Sequence, residues 1–150
     1  MWPFFIIMIL LGIETSCDET SASIINNNQL ISNVVYTQKI HEKYGGVVPE
    51  LASQEHLNEI IDVIELALLE SKLKIHDINA IAVTYGPGLM GSLLIGLNFV
   101  KAMSLSLNIP TVEFYKEAKN FRQAEPKGSL YKHIGIDSVN NKKDLIKTIK

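Results

Sequence analysis

The sequence predicts an α/β fold: a mixed sheet that opens with a three-stranded antiparallel meander and continues as helix, strand, helix. Three observations carry this expectation. Short strand-like runs separated by turn-forming residues fill the first 37 positions. A long amphipathic stripe follows, and beyond it the run Ala80-Ile81-Ala82-Val83-Thr84 is continuously apolar, as an interior parallel strand is.

The first strand is expected from about Ile6 or Met8 to Ile13, where apolar residues run without interruption. Thr20 to Ile25 gives the second strand, and Asn26-Asn27-Asn28 supplies residues that tolerate left-handed backbone. Leu30 to Thr37 alternates and completes the meander. Pro49 and Glu50 then mark a helix start, since a missing N–H and a negative charge both suit the first turn. Leu57, Ile60, Ile61, Ile64 and Leu68 form its predicted buried stripe, opposite Glu55, Asn58, Glu59, Asp62 and Glu65, and Ser71-Lys72 ends it. After the apolar strand, Tyr85 to Ser92 is a glycine-rich turn. Ser92 to Leu107 is apolar nearly all round, with Asn98, Lys101 and Ser104 as a narrow polar edge, so it is expected to be covered on most sides. Asn108-Ile109-Pro110 ends that helix and starts a strand. Beyond it, Val112 to Ala124 suits a short helix, Leu130 to Ile136 a strand, and Asn140 to Lys150 a lysine-rich helix.

The 150 residues are enough for one ordinary domain, which buries roughly 70% of its unfolded surface. Charge divides the chain: residues 1–110 hold 5 basic and 11 acidic side chains, residues 111–150 hold 9 and 5. The expected organisation is an extension at 1–7, a lobe at 8–110 and a basic tail at 111–150. The apolar start, Met1 to Leu11, falls short of the ~20 residues a bilayer span needs and lacks the basic flank and cleavage site of a signal peptide. No membrane partner is expected, and a cytoplasmic location is. The single cysteine, Cys17, excludes an internal disulfide framework.

The chemistry concentrates at the end of the first strand. Asp18 and Glu19 are adjacent carboxylates, a pair suited to acid–base work or to positioning an amine. Thr15, Ser16 and Thr20 place hydroxyls beside them, a setting that suits a phosphate-bearing or acyl substrate. In the turn Gly86-Pro87-Gly88, the glycines Gly86 and Gly88 allow backbone to approach a ligand ahead of a helix N-terminus, but the pattern fits neither the dinucleotide fingerprint nor the P-loop and suits a purely structural tight turn equally well. His56 is expected on the polar or boundary side of its helix, and Cys17 as a small buried residue. His41, His76 and His133 stand singly, without metal-ligand spacing. The tail's lysines admit a nucleic-acid contact, but they lack the interleaved aromatics of a reading motif, and solvated helix faces explain them equally well.

Three segments in order, Gly12-Ile13-Glu14-Thr15-Ser16-Cys17-Asp18-Glu19-Thr20, Tyr44-Gly45-Gly46-Val47-Val48-Pro49-Glu50-Leu51-Ala52-Ser53 with His56, and Ala80 to Leu89, closely resemble the tRNA adenosine threonylcarbamoyltransferase family, older members of which were labelled O-sialoglycoprotein endopeptidases. The match runs from about Met8 to Pro110. It implies the N-terminal lobe of an actin-like fold of the sugar-kinase and heat-shock-ATPase type. The implied reaction moves a threonylcarbamoyl group from threonylcarbamoyl-AMP to the adenosine next to the anticodon of tRNA, with Asp18 and Glu19 as the catalytic acids and Thr15, Ser16, Thr20, Gly86 and Gly88 against the substrate. The family uses a divalent metal, iron or zinc, held by an Asn-His-x-x-x-His motif. The two histidines of that motif would fall at Lys116 and Asn120, so no metal is expected to bind this chain. The resemblance therefore implies a truncated form, inactive alone, with a non-catalytic module that pairs with an inactive paralogue or with itself as the alternative. A metalloprotease reading loses its support with those histidines.

Overall fold

A computed structural model describes residues 8–115. The first strand, β1 (Ile9–Glu14), lies in the middle of the sheet and is buried along its whole length. β2 (Glu19–Asn26) pairs with it antiparallel, Ile9 opposite Asn26 and Glu14 opposite Ser21. β3 (Gln29–Thr37) pairs antiparallel with β2 through a two-residue turn in which Asn27 and Asn28 have φ of 47° and 73°. Asparagine reaches that left-handed region at low cost, and two such residues in a row match the twist of the flanking strands. A register irregularity sits between Ile24 and Ile25.

A six-residue 3-10 helix, Lys39–Tyr44, then leads to α1 (Pro49–Ser71). After a short 3-10 turn at Ile75–Asp77 comes β4 (Ala80–Gly86), parallel to β1 with Leu10 opposite Ala80 and Ile13 opposite Val83. α2 (Met90–Leu107) follows, capped by Asn108 in left-handed backbone, and β5 (Thr111–Tyr115) runs parallel to β4. The sheet order is β3-β2-β1-β4-β5. The helix expected from Val112 begins instead as this strand: Thr111 to Tyr115 zip onto the open edge of β4, and pairing outweighs a weak helical pattern. The elements read for Leu130–Ile136 and Asn140–Lys150 lie outside the described residues.

α1 covers β2 and β3, α2 covers β4, and the two helices touch. Alternate residues of the strands, Ile9, Leu11 and Ile13, Ala22 and Ile24, Ile81 and Val83, meet Ile60, Val63, Ile64, Ala67, Leu97 and Val100 in the main core. The opposite parity, Leu10, Ile25, Ala80 and Ala82 with Phe114, forms a smaller cluster on the other face.

Two sequence expectations about the helices change. α1 is rotated from its predicted stripe: Ala52, His56, Ile60, Val63, Ile64 and Ala67 are buried, whereas Leu57 is 61% and Ile61 52% exposed. The small Ala52 and Ala67 let the helix lie close to the sheet, and His56 is drawn inside by polar partners described below. α2 is not covered on most sides either, since Met90, Leu94 and Leu105 are exposed. By length and composition alone it is apolar enough to cross a membrane, with 28% of it buried. It approaches the sheet through Gly96, where a Cβ would collide with the Thr15 side chain.

The rotation of α1 predicts an unequal pair of truncations. Ile60→Ala, at a fully buried site, should cost about 2–5 kcal/mol in urea unfolding. Leu57→Ala should change stability by no more than about 0.5 kcal/mol. Equal losses would mean that α1 presents its other face to the sheet.

Candidate functional site

β1 and β4 run parallel as neighbours, so the loops leaving their C-terminal ends emerge side by side. That is where open α/β sheets collect their ligands. The two loops are in direct contact. Leu89 N–H donates to the Ser16 carbonyl at 2.8 Å, and a Cβ placed on Gly88 would lie 2.5 Å from that carbonyl oxygen and 2.8 Å from Ser16 Cβ. Only glycine fits there without displacing the loop. Gly86 is joined to Pro87 by a cis peptide bond.

The loop between β1 and β2 is held at consecutive residues by different parts of the chain. Thr15 Oγ1 donates to the Ser92 carbonyl in the first turn of α2 at 2.8 Å. Ser16, Cys17 and Asp18 then offer three successive carbonyls: to Leu89 N–H, to His56 Nε2 on α1 at 2.9 Å, and to Gln38 N–H just beyond β3 at 3.0 Å. Below them the buried Glu14 carboxylate accepts the Ser16 N–H at 2.6 Å on one oxygen and the Thr84 hydroxyl of β4 at 2.8 Å on the other. Asp18 and Glu19 emerge half-buried from this support. Glu19 opens β2 opposite Thr37, whose hydroxyl donates to it at 3.3 Å. Thr15, Ser16 and Thr20 are buried, and the hydroxyls of Thr15 and Thr20 are engaged within the protein.

His56 is the chief departure from the sequence reading: it is fully buried, not on a polar or boundary face. A carbonyl only accepts, so Nε2 carries the proton that goes to Cys17, and Nδ1 accepts from the Thr20 hydroxyl at 2.7 Å. The imidazole thus bridges the residues on either side of Asp18 and Glu19. Cys17, expected to be buried, is half-exposed, and its carbonyl accepts from the buried His56. Gln38, also buried, donates from Nε2 to the Ala52 carbonyl at 3.1 Å and accepts from His41 Nε2 at 2.8 Å. His41 Nδ1 in turn accepts Val48 N–H at 3.3 Å, ahead of α1. Sequence reasoning missed Glu14, Gln38, His41 and Thr84 as parts of one network. The one usable signal was His56 itself, four residues after Ala52 and four before Ile60 on the buried side of α1.

The donor set does not suit a metal among the described residues. No three of its His, Cys, Asp and Glu side chains converge, and both ring nitrogens of His41 and of His56 are already occupied. Lys116 and Asn120 lie outside the described residues.

Burial pushes the His56 pKa below its ordinary 6.5, opposed by the bond to the Cys17 carbonyl and by the charges of Glu14 and Asp18. The unfolded chain therefore takes up a proton near pH 6.5, and the folded imidazole only at lower pH. The associated stability is complete above about pH 6.5 and is lost as pH falls toward the folded value. The urea midpoint is expected to drop between about pH 7.5 and about pH 5.5, and to drop less in His56→Gln. The same drop in both proteins would remove His56 as its source.

With this geometry in place, comparison with known proteins is specific. The family described as tRNA N6-adenosine threonylcarbamoyltransferase matches residues 29–114. A relative of that name from Christiangramia forsetii is 54% identical over 104 residues, which cover 69% of this chain and 31% of the relative. One from Thermosipho melanesiensis is 50% identical over 106 residues, covering 70% of this chain and 33% of the relative. The chain thus spans about a third of the length of the relatives it matches. Among solved structures, YeaZ from Pseudomonas aeruginosa superposes with a TM-score of 0.61 over 78% of this chain and 48% of its own, at 17% identity, a likeness of fold alone. By the family match and the relatives' identity together, the chain belongs to the tRNA N6-adenosine threonylcarbamoyltransferase family.

Proposed function

We propose that residues 8–110 form the lobe that brings the acidic pair Asp18 and Glu19 to threonylcarbamoyl transfer, from threonylcarbamoyl-AMP to the exocyclic amine of the adenosine next to the anticodon of tRNA. One observation carries this reading. The hairpin that holds both acids is in contact with the Gly86 to Leu89 loop at the C-terminal ends of two parallel strands. In the reaction the amine nitrogen attacks the carbamoyl carbon, a C–N bond forms, and the bond to the phosphate oxygen breaks. AMP leaves with the electron pair, and the amine gives up one proton. Asp18 and Glu19 orient the amine and balance the positive charge that develops on it, a task of position and electrostatics. Thr15, Ser16, Thr20, Gly86 and Gly88 form the wall behind them. The divalent iron or zinc of the family supplies Lewis acidity where it is bound. The described residues do not gather a donor set for it, so no step here is routed through it. A cytoplasmic place of action goes with this reading.

The test exchanges residues 8–110 into the full-length Christiangramia forsetii relative and measures modified adenosine in tRNA by mass spectrometry. Asp18→Asn and Glu19→Gln should each lower the rate at least ~100-fold. A variant that keeps its activity would remove that residue from the catalytic pair. The 150-residue chain by itself should yield no modified adenosine.

A second reading, a non-catalytic module that pairs with a paralogue or with itself, is favoured by the exposed Leu57, Ile61, Leu66 and Leu69 on α1 and Leu94 and Leu105 on α2. Light scattering after size exclusion should then give a mass above that of one chain. A clean, folded monomer at low concentration would count against it.

A further inference from the structure

We infer that His56 and Gln38 are positioning residues for the acidic pair, fixing the backbone of Cys17 to Thr20 from beneath so that Asp18 and Glu19 are presented as one rigid unit. The inference rests on the functional reading above only in calling the pair catalytic; the brace itself is a matter of geometry. His56 spans the two acids, holding the Cys17 carbonyl at 2.9 Å and the Thr20 hydroxyl at 2.7 Å. Gln38 holds the Asp18 carbonyl between them through its backbone N–H at 3.0 Å. Its side chain is anchored at both ends, to Ala52 of α1 at 3.1 Å and to His41 at 2.8 Å.

Core filling does not account for these residue types. His56 lies between Ala52 and Ile60 on the buried side of α1, where an aliphatic side chain would fill the same interior. An imidazole and a carboxamide buried to 0% and 3% exposure are costly unless every polar atom finds a partner. The imidazole's partners, Cys17 and Thr20, flank the carboxylates, while the carboxamide, bound to Ala52 and His41, fixes Gln38 so that its backbone N–H meets the Asp18 carbonyl. A displacement of about 1 Å at a reacting group lowers a rate roughly 100-fold, so a brace of this kind is felt in the chemical step.

Amide hydrogen exchange on the 150-residue chain tests the brace. In His56→Ala the amides of residues 17–20 should exchange at least ~10-fold faster, while those of β4 change far less, because the loss is local. His56→Gln, which can keep a donor toward Cys17, should recover part of the protection. Acceleration shared equally by the hairpin and β4 would show a general loss of stability and overturn the inference. So would an unchanged hairpin. Where His56→Ala does not fold, Thr20→Val removes one end of the bridge at nearly constant volume and is read by the same criterion. In the exchanged full-length relative, His56→Ala should lower kcat roughly 10- to 100-fold with KM for tRNA within about twofold, and Gln should restore part of it. An unchanged kcat would overturn the positioning role. Activity retained in Asp18→Asn would instead overturn the functional reading and leave the exchange result standing.

Discussion

Everything at the acidic end of the sheet depends on three successive carbonyls. A loop that turns backbone carbonyls toward the protein needs a donor for each of them. At Ser16, Cys17 and Asp18 the donors come from three separate parts of the chain: the approach to α2, the body of α1 and the residue after β3. No one of these elements holds the loop alone, and the loop fastens all of them to the end of β1. The packing of both helices and the placement of the carboxylates are therefore one problem with one solution. The buried Glu14 completes it by joining the loop to β4.

Much of the fold was legible in the sequence because its signals are local. The apolar runs ending at Ile13 and Thr84, the asparagines before β3, Pro49 at the start of α1 and Asn108 after α2 each act on their own few residues, and each element stands close to where they place it. The adjacency of Asp18 and Glu19 is likewise written in the chain. The contact between their loop and Gly88 follows once β1 and β4 are taken as parallel neighbours.

What the sequence did not show depends on partners far away in the chain. The apolar side chains of α1 cover a wide arc, and periodicity alone permits Leu57 and Ile61 to face inward as readily as Ala52 and Ala67. The choice is made by close approach to the sheet and by His56, whose two partners lie 39 and 36 residues away at Cys17 and Thr20. A histidine read beside Glu55 looks like surface; beside a carbonyl and a hydroxyl it is interior. Gln38 and Glu14 were hidden for the same reason. β5 is a smaller case, since Thr111 to Tyr115 become a strand only because β4 offers an open edge.

The sheet order has a consequence for how the chain acquires its shape as it is made. β1, the innermost strand, leaves the ribosome before β4, so Leu10 waits for Ala80 and Glu14 for Thr84, each 70 residues later. Until then β1 is an edge of the meander with one side bare, an open template for any other extended chain. Closing it requires a long-range encounter, which is slow compared with hairpin or helix formation. The nascent protein is thus most in need of protection by chaperones in the interval between the synthesis of β3 and that of β4.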